Sequence, residues 1–152
     1  MSRYIGGIVV GYDGSLASRA ALDWAAGEAE RRHLTLLILL AVEDTVPRSS
    51  IHAARLGPGE DPAHQCAAES VRLARRSAPS VEIVVETHFC APSHALIEKS
   101  GQAELVVLGE EGRNPAVDGM AGPVALDVSI HARCPVMIVG ATGVQRYPAG
   151  AK

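Results

Sequence analysis

Two segments of the chain combine glycine with polar residues in a way that favours anion binding. Residues 11–15 read GYDGS and follow an apolar run at 8–10. Residues 109–123 read GEEGRNPAVDGMAGP and follow a second apolar run at 104–108. Glycines let main-chain N–H groups approach an anion, and a helix that begins after such a loop adds partial positive charge. Both segments are therefore candidates for a binding site at the ends of the strands.

The pattern around these loops alternates between strands and helices. Five segments rich in apolar residues predict strands, at 8–10, 34–42, 81–87, 104–108 and 134–139. Helical periodicity predicts helices over 16–32, 63–77, 92–100 and from Gly122 through His131, with Ser15 capping the first of them. This alternation predicts an α/β fold, an open three-layer structure with a parallel five-stranded sheet and helices on both faces. Ligands of such sheets bind at the carboxyl ends of the strands, where both loops lie.

Composition limits the class of protein. The 152 residues are 47% hydrophobic and 20% charged, which suits one globular domain, and the net charge of −3 comes without a basic patch for nucleic acid. Three cysteines without a C-x-x-C pair favour a reducing compartment. With neither a signal-peptide pattern nor a membrane-length apolar run, we expect a cytoplasmic protein without membrane or nucleic-acid partners. We expect one domain over 1–143, a mobile loop at about 44–62, and a flexible tail over 144–152.

Several motifs together resemble the universal stress protein family. They are the Asp-Gly-Ser after the first strand, the Ala-Leu-x-Trp-Ala of the first helix, the Gly-x2-Gly-x9-Gly spacing of Gly109, Gly112 and Gly122, and the Cys-Pro-Val at 134–136. The resemblance covers nearly the whole chain. It implies a Rossmann-like fold of the adenine-nucleotide alpha-hydrolase type, with strand order 3-2-1-4-5 and a cleft between the first and fourth strands.

The resemblance also implies a ligand and a role for each site residue. The ligand is ATP or another adenine nucleotide, with Mg²⁺ as a further candidate. Asp13 would meet the ribose or a metal-bridged phosphate, and the backbone at Val42 would contact the adenine edge. Gly109, Gly112 and Gly122 would wrap the phosphates. The family's function implies a stress-response module, and its topology makes the fifth strand a sheet edge. Because an exposed apolar edge strand tends to pair with a strand of another chain, we expect a homodimer through this strand.

Two departures from the family pattern predict that nucleotide binding is weak or lost. The family follows the last glycine with Ser or Thr and with another hydroxyl residue two places on, where this chain has Pro123 and Ala125. Hydrogen bonds to charged groups contribute about 1.5–3 kcal/mol each, so these losses matter. Glu110 and Glu111 add negative charge, and a carboxylate about 6 Å from a phosphate costs roughly 3 kcal/mol at an effective dielectric constant of about 20. Arg113 either offsets this charge by turning inward or neutralises the two glutamates.

Each of these features also has a purely structural interpretation. Gly122-Pro123 is an ordinary helix start, and Asp13-Gly14-Ser15 is an ordinary turn and N-cap. His88, Cys90 and His94 are close enough in sequence to suggest a metal, but zinc sites usually have a fourth ligand, so we favour ordinary packing.

The sequence contains none of the common catalytic motifs. The chain lacks the nucleophile-elbow, Walker A, dinucleotide-binding and zinc-protease motifs, so we expect no catalytic or metal residues and no enzyme. The alternative function is a dimeric partner-binding module without nucleotide.

Overall fold

The fold is seen in a computed structural model that describes residues 6–42, 62–110, 122–140 and 144–147. The described part contains the following strands and helices in chain order: β1 (Gly7–Gly11), α1 (Leu16–Arg32), β2 (Leu36–Ala41), α2 (Pro62–Ser77), β3 (Ile83–His88), α3 (Pro92–Ser100), β4 (Ala103–Gly109), α4 (Pro123–His131), β5 (Val136–Val139) and β6 (Val144–Tyr147).

The sheet has the order β3-β2-β1-β4-β5-β6, and its first five strands are parallel. The predicted α/β class and the order 3-2-1-4-5 are therefore confirmed. β1 lies in the centre, where Val9 is in register with Leu37 of β2 and with Val106 of β4. All three side chains are buried, as expected of strands that are covered on both faces.

Alternate residues of the strands supply two separate cores. On one face Ile8 and Val10 pack with residues of α1 and α2. On the other face Val9 packs with residues of α3 and α4. Successive side chains of a strand point to opposite faces, so each buried strand contributes to both cores.

α1 begins and ends where its sequence predicts. Ser15 caps the start, since its Oγ accepts a hydrogen bond from the N–H of Ser18 at 3.2 Å. The buried face of the helix consists largely of alanines, which let the helix lie close to the sheet. After Arg32 the chain leaves the helix at His33, which has a left-handed φ of 56°. The local signals for the cap and the apolar face were therefore sufficient to define this helix.

β6 corrects two of the sequence predictions. Residues 144–147 do not belong to a flexible tail but pair antiparallel with β5, from Val139 opposite Val144 to Val136 opposite Tyr147. β5 is consequently not the sheet edge on which the predicted homodimer depends. The physical reason is that main-chain groups left open along β5 gain hydrogen bonds from the returning chain. A four-residue strand is too short to show a recognisable period.

The predicted mobile loop at about 44–62 falls outside the described residues, apart from Pro62 at the start of α2. Within the described ranges, no helix has the length and apolar character needed to cross a membrane.

Candidate functional site

The candidate site lies at the carboxyl ends of β1 and β4, which are neighbours in the middle of the sheet. The chain leaves β1 to form α1 on one face and leaves β4 to form α4 on the other. The direction of winding therefore reverses between these two strands, which opens a crevice where α/β proteins commonly bind ligands. The structure thus brings the loop after β1 and the end of β4 to the same place.

The loop after β1 forms a tight turn. The Asp13 carboxylate accepts a hydrogen bond from the Ser15 N–H at 2.9 Å, and the Asp13 N–H donates to Ser18 Oγ at 3.3 Å. Gly14 has a φ of +86°, a left-handed conformation that L side chains rarely adopt. The turn and N-cap interpretation of this motif is therefore supported. The same contacts hold the half-buried Asp13 in the loop that follows β1.

Gly109 is needed for packing. A Cβ atom at this position would lie 2.7 Å from the main-chain carbon of Ala17 and 2.8 Å from its Cβ. The first turn of α1 therefore approaches the end of β4 so closely that only glycine fits. This contact accounts for Gly109 without any bound phosphate.

The residues at the two ends of the segment between β4 and α4 are joined by a main-chain hydrogen bond. The Glu110 N–H donates to the Val139 carbonyl at 2.9 Å, and the Gly122 N–H donates to the Glu110 carbonyl at 2.7 Å. The family resemblance implied that Gly122 contacts a phosphate, but its N–H already has an acceptor within the protein. Gly112, with Glu111 and Arg113, lies outside the described residues.

The start of α4 keeps part of its capacity to bind an anion. Gly122 is the N-cap residue, without a side-chain cap hydrogen bond, and Pro123 follows at the first helical position. Proline has no N–H, and the Leu126 N–H closes the first turn on the Gly122 carbonyl at 3.0 Å. Helix geometry leaves the N–H groups of Val124 and Ala125 without a partner inside the helix. These two donors are what the helix start can offer to a ligand.

Val42 lies just beyond β2 and already uses its main-chain donor. Its N–H donates to the His88 carbonyl at 2.8 Å, which extends the pairing of β2 with β3 by one residue. The main-chain group of Val42 that remains for contact with a base is its carbonyl. An acceptor at this position suits the exocyclic amine of adenine, which is a donor.

Tyr12 forms a buried polar contact beside the crevice that the sequence did not reveal. Its side chain is only 4% exposed, and its hydroxyl donates to the Glu69 carboxylate of α2. Arg19 of α1 contacts the same carboxylate at 3.3 Å. Burial and the neighbouring Glu69 raise the pKa of Tyr12, so its phenol stays neutral. The hydrogen bond from Tyr12, with the charge of Arg19, lowers the pKa of Glu69.

The three residues considered as metal ligands turn to different partners. His88 Nε2 lies 2.8 Å from Glu86 Oε1, and His94 Nε2 lies 3.5 Å from Glu98 Oε2. Cys90 packs with the core beneath α3 and α4. Among the residues that the structure describes, no group of three or more histidine, cysteine, aspartate or glutamate side chains is arranged to hold a metal ion.

Comparison with known proteins gives consistent matches along most of the chain. The model of the "Universal stress protein family" matches residues 6–140. Universal stress protein Rv2005c of Mycobacterium tuberculosis is 33% identical over 139 residues, covering 88% of this chain and 47% of that protein. Universal stress protein Rv2623 of the same organism is 36% identical over 138 residues, covering 86% of this chain and 44% of that protein. The chain thus spans less than half the length of these relatives.

A solved structure with the same fold contains a ligand. It is the crystal structure of a universal stress protein in complex with cAMP, which superposes with a TM-score of 0.68 at 25% sequence identity. The match covers 90% of this chain and 97% of that one.

Proposed function

The chain belongs to the universal stress protein family, and from this membership we propose that it is a cytoplasmic stress-response regulatory domain with a weak adenine-nucleotide site. The site is the crevice between the ends of β1 and β4. The similar protein solved with cAMP supports a ligand that carries an adenine base and phosphate. The proposal that binding is weak rests on the hydrogen bond from the Gly122 N–H to the Glu110 carbonyl.

At the base and ribose end, the crevice keeps the groups that a nucleoside needs. The Val42 carbonyl would accept a hydrogen bond from the adenine amine. The Asp13 carboxylate, fixed by the turn through Ser15, would accept one from a ribose hydroxyl. Hydrogen bonds from the adenine amine and the ribose hydroxyl to these two acceptors would orient the nucleoside as well as add affinity.

At the phosphate end, the crevice has lost donors. The Gly122 N–H is used internally, Pro123 has none, and Ala125 has no hydroxyl. A missing hydrogen bond to a charged group costs about 1.5–3 kcal/mol. The Val124 and Ala125 N–H groups remain, so a single phosphate would keep some support. We therefore expect ATP and ADP to bind little better than AMP, with Mg²⁺ adding little.

We further propose that the domain is not an enzyme. Asp13 is half-buried and engaged in its turn, and Tyr12 is held neutral by burial beside Glu69. A lone carboxylate without a nucleophile or an oxyanion donor does not make a reaction. Incubation with ATP should yield no product above an Asp13→Ala control, and release of ADP by the parent alone would contradict this.

The second candidate is a partner-binding module without nucleotide. It is favoured by the same Gly122–Glu110 hydrogen bond, because the Gly122 N–H then needs no acceptor from a ligand.

Calorimetric titration with AMP, ADP and ATP, with and without Mg²⁺, separates the candidates. A weak nucleotide site predicts dissociation constants above about 10 μM, equivalent to about −7 kcal/mol, and similar values for the three nucleotides. Asp13→Ala should weaken AMP binding, and Asp13→Asn, which keeps an acceptor for the Ser15 N–H, controls for loss of the turn. Absence of heat for all three nucleotides at about 1 mM would exclude the nucleotide site and favour the partner-binding module. An ATP dissociation constant below about 10 μM would contradict the proposed loss of phosphate donors.

A further inference from the structure

The net negative charge of the chain is concentrated at the edge of the sheet that holds the crevice. Four segments leave the carboxyl ends of parallel strands and lead to the next described helix, and together they contain eight acidic and three basic residues. These segments are 12–15, 42–61, 89–91 and 110–122. The four segments that connect a helix to the next strand, at the opposite edge, contain one acidic and one basic residue. They are 33–35, 78–82, 101–102 and 132–135. The crevice therefore opens on the acidic edge of the sheet.

Glu110 brings one of these acidic side chains to the phosphate end of the crevice. Its N–H donates to the Val139 carbonyl at 2.9 Å, and its carbonyl accepts a hydrogen bond from the Gly122 N–H at 2.7 Å. Gly122 is the N-cap of α4, so the main chain of Glu110 is held beside the start of this helix. A carboxylate at that place offsets the partial positive charge that a helix start offers to an anion.

The groups at this end of the crevice suit a cation better than an anion. A phosphate would face the Glu110 carboxylate, and it would lack the N–H groups of Gly122 and Pro123. A positively charged group needs no N–H donor and is attracted by the carboxylate. At about 6 Å and an effective dielectric constant of about 20, two unit charges change binding by about a hundredfold, which screening by salt reduces to about three- to tenfold.

We propose that the preferred ligand of this crevice is an adenosine compound with a cationic 5′ group, such as an ammonium or a sulfonium, in place of a phosphate. The Val42 carbonyl and the Asp13 carboxylate keep their roles toward the base and the ribose, so this inference rests on the adenine site proposed above. It changes only the chemistry expected at the 5′ carbon. Adenine nucleotides are weak ligands in this account because their phosphates carry the same sign of charge as Glu110.

Three ligands that differ only at the 5′ position test this preference on the full chain. They are 5′-amino-5′-deoxyadenosine, whose amine is protonated at pH 7, adenosine, which is neutral, and AMP, which is anionic. Titrations followed by NMR chemical shifts at physiological salt should give affinities that decrease in this order, with neighbouring members differing by about three- to tenfold. The differences should shrink at about 1 M salt, where the Debye length is about 3 Å.

Glu110→Gln isolates the carboxylate, because it removes the charge and keeps the main-chain hydrogen bonds to Val139 and Gly122. It should weaken binding of the amine and strengthen binding of AMP, each by about three- to tenfold, and change the affinity for adenosine by less than about twofold. Glu104→Gln is the matched control, since it makes the same change in net charge on the same strand. Glu104 is exposed near the start of β4, at the opposite edge of the sheet, so this variant should bind all three ligands as the parent does.

The outcomes separate this proposal from the adenine site on which it rests. If adenosine or AMP binds the parent as tightly as the amine or more tightly, the cationic preference is overturned and the adenine site stands. Absence of binding by all three ligands at about 1 mM would overturn both. An order of affinities that is unchanged in Glu110→Gln would also overturn the proposal, because the carboxylate would not be its source. The ligand series and its salt dependence on the parent chain decide the case if the variant does not fold.

Discussion

The main-chain N–H of Gly122 donates to the carbonyl of Glu110 at 2.7 Å. This hydrogen bond joins the start of α4 to the end of β4. It uses the donor at the last glycine of the loop, next to a proline that has no donor. The weakness that we propose for the nucleotide site is therefore a property of the main chain as well as of the side chains. Five predictions test the packing, the electrostatics and the site.

Gly109→Ala should destabilise the protein, because its Cβ would meet main-chain atoms of Ala17 at 2.7–2.9 Å. Main-chain atoms cannot turn aside as the end of a flexible side chain can, so we expect a loss of about 1–3 kcal/mol. Gly101→Ala is the matched control, since its nearest neighbours lie 3.7 Å away and its φ is −67°. Urea unfolding measures both. Equal unfolding midpoints would show that the contact with α1 does not require glycine.

Tyr12→Phe should lower the free energy of unfolding by about 0.5–1.5 kcal/mol at pH 7, the usual net contribution of one hydrogen bond. The substitution keeps the buried ring and removes the hydroxyl that donates to Glu69. Urea unfolding of the variant beside the parent gives the difference. A variant as stable as the parent would mean that this contact contributes nothing to the packing of α2 against the end of β1.

The difference between the parent and Tyr12→Phe should depend on pH. The hydrogen bond from Tyr12, aided by Arg19, lowers the pKa of Glu69 in the folded state below its ordinary value of 4.5. A lowered carboxyl pKa stabilises the fold above the unfolded value, and this contribution is lost as the pH falls through the folded value. The difference should therefore be largest near neutral pH and shrink below about pH 4.5. In a Glu69→Gln background, which has no titrating carboxyl, a pH dependence of the same size would contradict this assignment.

Cys134 should resist alkylation in the native protein. Burial raises the pKa of its thiol from 9.0 to about 11, which lowers the reactive thiolate fraction at pH 8 by about a hundredfold. Brief treatment with iodoacetamide, followed by peptide mass spectrometry, should label Cys134 only after unfolding in urea. The partly exposed Cys66 and Cys90 serve as internal references. Native labelling of Cys134 at the rate of the other two would show that the segment before β5 opens readily.

The sequence predicted most of the fold because the relevant signals are local. α1 has a cap at Ser15 and a periodic alanine face, and α3 begins at Pro92, so their bounds could be read directly. The apolar strands predicted a parallel sheet, and the family resemblance supplied its order. Sequence periodicity has no equivalent signal for contacts between distant residues.

The parts that the sequence did not predict depend on such contacts. Tyr12 meets Glu69 across 57 positions, and Gly109 meets Ala17 from another element. The glycine spacing drew attention to the loop after β4. It could not show that Gly109 is required by packing, or that the Gly122 N–H is used inside the protein.

The most direct test of the weakened phosphate site is calorimetric titration of ATP into the parent and into the triple variant Glu110→Ser, Glu111→Arg, Pro123→Ser. The variant removes two negative charges, adds a positive charge, and restores a hydroxyl and a main-chain donor at the start of α4. Glu98→Ser with Glu104→Arg makes the same change in net charge at exposed positions away from the crevice and should leave binding unchanged.

We predict that the parent binds ATP with a dissociation constant above about 10 μM and that the triple variant binds it about tenfold to a hundredfold more tightly, with the gain decreasing as salt is added. A triple variant that has the circular dichroism of the parent and binds ATP no better would contradict the account, as would a parent that already binds ATP below that value.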